Sequence, residues 1–323
     1  MEWLRPPRCT SDAPRRGPLG RGWLVRLLFL ALALSMAPLR AQQPTTFRSG
    51  VELVNIGVTV TDRKGNLVTD LSAADFAVVE DGAPHLISYF SSGDRPDPAP
   101  EMHLGLLLDV SQSMTDDMAF IKTAAIKFVN TLAEAVDVTV VQFDSEVRVA
   151  RYSQREFARL VERIRQQKAD GQTALYDAIA VYLDGATDQA GRKIMLLYTD
   201  GGDTRSALRF NELLNVLKAS DVTVYTIGVL EHQTQSGRTA QRPLLQQIAE
   251  ATGGQAYFPG SVRSLDAVYE QVLSDIRAQY TLGYHPSNPK TDGAWRKIEV
   301  KVLRNDGRDY RVRARKGYYA GVR

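Results

Sequence analysis

Asp109, Ser111, Ser113, Asp116 and Asp117 fall within nine residues, "DVSQSMTDD" (109–117), directly after the apolar run "HLGLLL". Side chains of these types support three chemistries. Their oxygens can hold a hard cation, a serine or aspartate can cap a helix, and a serine can act as a nucleophile. The nucleophile reading lacks its surroundings. Neither serine sits in a Gly-x-Ser-x-Gly turn, and His85, His103, His232 and His285 read as loop or edge residues, with His103 placed just before a strand. Two later stretches carry more oxygen donors. Thr173 in "DGQTALYDA" stands before a helical pattern, and Asp200 in "LLYTDGGD" ends an apolar run.

The elements that must position these residues alternate. Residues 104–108, 138–143, 194–198 and 222–229 are near-continuous apolar runs, as parallel strands covered on both faces require. Between them, Met118, Ile121, Ala125, Phe128 and Leu132 are spaced 3, 4, 3, 4, one face of a helix. The same periodicity recurs at Leu175, Ile179 and Tyr182, at Leu213, Leu214 and Leu217, at Leu244, Leu245 and Ile248, and over 262–277. Short edge strands are expected at 145–152 and 255–258. The pattern predicts a doubly wound, mostly parallel α/β domain over residues 102–278. In such a sheet ligands gather beyond the carboxyl ends of the strands where strand order reverses. With the common order, Asp109 and Asp200 flank that point and meet. Two carboxylates with the hydroxyls of Ser111, Ser113 and Thr173 form an oxygen-only set suited to Mg²⁺ or Mn²⁺.

The flanks have another character. "VELVNIGVTVT", "DFAVVEDG" and 85–90 before the α/β region, and 280–284, 296–304 and 310–319 after it, read as short strands separated by turns. Neither flank carries enough strands for its own core, so residues 44–91 and 279–323 are expected to pair in a small β-sandwich. "SSGDRPDPAP" marks a linker over 92–101.

Residues 1–41 read as a secretory signal: an arginine-rich start, the 11-residue apolar stretch 27–37, and Ala41 at the exit. The protein is therefore expected to be exported, to the periplasm, cell surface or medium. An uncleaved N-terminal segment is the alternative, and the sole expected tie to a membrane. Removing seven arginines and two acids from the 40 basic and 37 acidic residues leaves 33 and 35, a net charge of −2. The basic balance thus belongs to the leader, and nucleic acid is excluded as a partner. The one cysteine, Cys9, also lies in the leader.

The order Asp-x-Ser-x-Ser, a threonine before a helix, and Thr-Asp-Gly after a strand resembles the von Willebrand factor type A family with its metal-ion-dependent adhesion site. The flanking stretches, closing on "YTLGYHP…GYYA", resemble a bacterial group carrying this domain. The resemblance implies that Asp109, Ser111, Ser113, Thr173 and Asp200 hold a divalent cation, with a coordination position left for an Asp or Glu of a protein partner. Asp116 and Asp117 are similar to the integrin β-subunit version, which implies a second cation such as Ca²⁺; acids complementing the first turn of a helix are the plainer reading. Asp177 and Asp203 are expected on a solvated face, and Tyr318 and Tyr319 in the sandwich core. The function implied is an exported, non-enzymatic adhesion module. The alternatives are an envelope scaffold in which metal only stabilises the loops and, less favoured, a metal-dependent hydrolase, for which no base of raised pKa is expected beside the site.

Overall fold

The computed structural model describes residues 53–92, 100–131, 134–260 and 262–320. The expected leader and most of the linker lie outside them. The strands are β1 (Val54–Thr61), β2 (Phe76–Glu80), β3 (Ala83–His85), β4 (Ile87–Ser91), β5 (Met102–Asp109), β6 (Ala135–Phe143), β7 (Val147–Ser153), β8 (Arg192–Thr199), β9 (Thr223–Gly228), β10 (Ala256–Tyr257), β11 (Tyr280–Tyr284), β12 (Trp295–Val302), β13 (Arg311–Ala314) and β14 (Gly317–Tyr319).

Six strands form one sheet in the order β10-β9-β8-β5-β6-β7, parallel except for the edge strand β7. Every residue of β5 and β9 is buried, which is why their sequences run apolar without alternation. Helices Met118–Thr131, Phe157–Arg165 and Val262–Ala278 cover one face, through Ile121, Phe128, Leu160, Ile164, Val272 and Ile276. Helices Leu175–Ala186, Phe210–Ala219 and Gln235–Glu250 cover the other, through Ile179, Tyr182, Leu213, Leu217, Leu245 and Ile248. This is the expected doubly wound fold. Gly105, in the middle of β5, is required by a close approach: a Cβ there would lie 2.2 Å from Cζ of Tyr182. His103 is the second residue of β5 rather than a lead-in. It is buried, with Nδ1 3.1 Å from Asp137 Oδ1 and Nε2 2.9 Å from the Ala190 carbonyl. Its apolar neighbours carry it into the sheet because both ring nitrogens find partners.

Two four-stranded antiparallel sheets complete the described chain, in the orders β13-β1-β11-β4 and β14-β12-β2-β3. Both take strands from before and after the α/β domain. Val58 pairs with Tyr280, and Ser91 with Thr281. Ile56, Val58, Phe76, Val78, Tyr280 and Leu282 pack into one core between the sheets, while Tyr318 and Tyr319 are only half-buried at its edge. The sandwich is tied to the α/β domain by Arg313, which pairs with the buried Asp275 of the last helix, and by Arg315, which donates to the carbonyls of Ser220 and Asn55. No helix among the described residues is long and apolar enough to cross a membrane.

Candidate metal centre

Strand order reverses between β5 and β8. Their register sets Leu108 beside Tyr198, so the next residues, Asp109 and Thr199, are neighbours at the carboxyl edge. Thr199 Oγ1 donates to Asp109 Oδ2 at 2.6 Å. On the other oxygen, the Ser111 amide and hydroxyl donate to Asp109 Oδ1 at 3.0 and 2.6 Å. Ser113 Oγ lies 3.1 Å from Ser111 Oγ. The short helical turn Gln112–Met114 lets both serines face one way. Asp109 and Ser111 are fully buried and Ser113 is exposed, so the group runs from the sheet edge to the surface.

Asp200 follows β8 and is 3% exposed. The chain turns away at Gly201, at φ 85°, in the left-handed region that favours glycine. Thr199 Oγ1 accepts from the Gly201 amide at 3.0 Å, so one hydroxyl fixes both Asp109 and the turn after Asp200. Asp200 Oδ1 accepts from the Gly202 amide at 3.0 Å, and Oδ2 from Gln233 Nε2 at 2.7 Å.

Thr173 is buried and is brought to this edge by backbone links. Gln112 N–H donates to Gly171 O, Asp170 N–H to Val110 O, and Thr204 N–H to Thr173 O. The three loops carrying the five residues are therefore laced together. The structure joins Asp109, Ser111 and Ser113 by side-chain hydrogen bonds, sets Asp200 within electrostatic reach of Asp109, and places Thr173 through its loop.

Burial pushes the Asp109 carboxyl up to about 7; the hydrogen bonds from Ser111 and Thr199 oppose this, and the charge of Asp200 adds to it. A base of raised pKa thus does stand beside the site, contrary to the sequence reading. Its oxygens accept from Ser111 and Thr199, and it is 0% exposed. Among the described residues neither Asp109 nor Asp200 bonds a lysine or arginine. Two buried carboxylates near one another, with hydroxyls as their neighbours, are costly alone and suit a dication. The residues fit the implied Mg²⁺ or Mn²⁺.

Asp116 is exposed and Asp117 is buried, accepting from His232 Nδ1 at 2.9 Å. Burial raises the Asp117 pKa, and the interaction with His232 opposes the rise. The adjacent pair is therefore split, one residue facing solvent and one bonded to a histidine. Asp177 is not on a solvated face: its carboxylate accepts the amides of Ala207 and Leu208 at 2.9 and 3.0 Å, bracing the loop after Asp200. Asp203 accepts from the Ser206 hydroxyl at 2.6 Å. Thr199, the threonine of the Thr-Asp-Gly stretch, contributes through its register beside Asp109. Two further contributors escaped the sequence reading. His232 and Gln233 come from the loop after β9, and nothing in "LEHQTQ" marks them.

No curated protein matches the chain. Among solved structures, proximal thread matrix protein 1 from the mussel byssus aligns at 19% identity over 57% of this chain and 48% of its own, with a TM-score of 0.42. The PilB minor pilin from Streptococcus sanguinis aligns at 13% identity over 57% and 63%, with a TM-score of 0.47. A von Willebrand factor type A protein from Catenulispora acidiphila aligns at 13% identity over 85% and 74%, with a TM-score of 0.46. The chain spans about half of the first of these proteins and under two thirds of the second. The family model for the von Willebrand factor type A domain matches residues 103–271, more than half of the sequence. With its motif residues gathered at the switch point of a doubly wound sheet, this chain belongs to the von Willebrand factor type A domain family.

Proposed function

We propose that this protein is an exported, non-enzymatic binding module that captures an acidic group of a protein partner through a divalent cation. Asp109, Ser111, Ser113, Thr173 and Asp200 would hold the ion, Mg²⁺ or Mn²⁺. The ion would supply a hard Lewis-acid position for a partner Asp or Glu carboxylate. The observation that carries the reading is the burial of Asp109 and Asp200 within each other's field, without a basic partner among the described residues. The chain's own part is preparatory. Thr199 and the Ser111 amide orient Asp109, Gln233 and the Gly202 amide orient Asp200, and the laced loops hold the hydroxyls at the rim.

Isothermal titration of Mg²⁺ and Mn²⁺ into wild type and Asp109→Ala tests the site, with saturable binding expected only in wild type. Capture of a glutamate-bearing peptide library on immobilised protein, with Mg²⁺ or with chelator, tests the partner chemistry. Equal metal binding by both proteins would overturn the site. Metal binding without metal-dependent capture would leave the scaffold reading in its place.

A further inference from the structure

A cavity of about 250 Å³ lies at the end of the sheet opposite the candidate metal centre, between the starts of β8 and β9 and the sandwich. Arg192, Lys193, Asp221, Thr223, Gln279 and Tyr89 are among its walls. Its charges do not balance. Lys193, 6% exposed, donates to both oxygens of Asp221 at 2.8 and 2.9 Å. Arg315, beside it, also feels the charge of Asp221. Arg192 has no such partner. Its Nη2 donates to the Ile276 carbonyl at 2.6 Å and to Gln279 Oε1 at 3.3 Å, both neutral, and its buried Nε has no hydrogen-bond partner. Burial lowers the Arg192 pKa, and only the tyrosines Tyr225 and Tyr89 oppose the shift. The two cations that line the cavity, Arg192 and Lys193, thus share one carboxylate there. Arg192 is half-buried, and a charge drawn from water without a counter-charge is costly for a fold to keep.

We infer that this cavity binds a small organic monocarboxylate, with Arg192 as its receptor. A guanidinium without a counter-ion matches a carboxylate better than any neutral acceptor does. One negative charge meets the need of Arg192, since Lys193 already has Asp221. The volume falls below the roughly 300–1,000 Å³ typical of drug-sized ligands, so the ligand is small. Tyr89 and its apolar neighbours Leu53 and Pro100 accept a short hydrocarbon body. The site is separate from the carboxylate position proposed at the metal, which lies at the other edge of the sheet.

The test titrates benzoate, and its neutral counterpart benzamide, into the full chain in excess EDTA, so that metal-bridged capture contributes nothing. Benzoate is expected to bind at one saturable site. Benzamide and the Arg192→Gln variant are each expected to lose about ten-fold or more, the worth of a hydrogen bond to a charged group. Should Arg192→Gln fail to fold, the contrast between the two probes on wild type decides. Absence of benzoate binding, equal binding of benzamide, or undiminished binding by a folded Arg192→Gln protein would each overturn the inference. None of these results bears on the metal site.

Discussion

Asp109 makes the stability of the metal-free protein fall as pH rises, and the size of the effect follows from its surroundings. In the unfolded chain its carboxyl titrates near 3.8, and in the fold near 7. Between those values the folded state holds a proton that the unfolded state has lost, so raising the pH favours unfolding. The stabilisation is fully present below the unfolded pKa and is lost as pH climbs to the folded one. The full shift of about three units corresponds to roughly 4 kcal/mol. From about pH 7.5 down to about pH 5 the metal-free protein should recover roughly 2.5 kcal/mol, or about 4 °C in Tm for a chain of this size. Carboxylates such as Asp75, held at about 2 by the Ser72 amide and the Arg304 guanidinium, titrate below this window. The control is Asp109→Asn, which keeps every other titratable group and removes the buried charge. The assay is thermal unfolding by circular dichroism in EDTA across the pH range, for both proteins. The wild-type curve should lose its Tm advantage toward neutral pH relative to the variant. Excess Mg²⁺ should reverse the wild-type slope, because the cation takes the ionised carboxyl and releases the proton. Parallel pH profiles for the two proteins in EDTA would refute the reasoning.

Thr199→Val removes the hydroxyl that orients Asp109 and the Gly201 turn; it should weaken Mg²⁺ binding about 10–100-fold by titration, as loss of an outer partner of a metal ligand does, with the far-ultraviolet spectrum unchanged. Gly105→Ala drives a methyl into Tyr182 and should cost about 3 kcal/mol in denaturant unfolding; adding Tyr182→Leu should restore part of it, and no recovery would place the strain elsewhere. Arg313→Ala strands Asp275 and should cost about 3 kcal/mol, whereas Asp275→Asn, which leaves no buried anion, should cost less in the same unfolding assay.

The parts of the fold legible in the sequence are those where one physical demand dominates. β5, β8 and β9 are buried along nearly their whole length, and a strand in that setting can only be apolar. The positions of the five candidate ligands were legible because each stands at a boundary that periodicity marks: the end of a strand or the start of a helix. Residues chosen by packing across the chain were not legible. His103 entered β5 because Asp137 and Ala190, distant in sequence, satisfy its ring. Asp177 was read as solvated, but the amides of Ala207 and Leu208 bind it from a loop about 30 residues away. Gln233 and His232 reach Asp200 and Asp117 from a loop with no periodicity at all.

The crossing of the flanks through the α/β domain has a consequence for the order of assembly. β1 and β11 pair through Val58 and Tyr280, and closing so long a loop in an unfolded chain costs about 5 kcal/mol of entropy. The pairings inside the α/β domain span less chain; the longest between neighbouring strands, β5 with β8, closes about 90 residues at about 4 kcal/mol. Once it folds, its entry strand β5 lies beside β8, and Arg192 of β8 holds Ile276 near the end of its last helix. Gln279 alone separates that helix from β11. The long loop has then been shortened to the segments that join the folded domain to β4 and β11, and Ser91 can meet Thr281. The α/β domain thus templates the sandwich: protection of β1 and β11 amides in pulse-labelled refolding should follow that of β5 and β8, and a lesion such as Gly105→Ala should delay both.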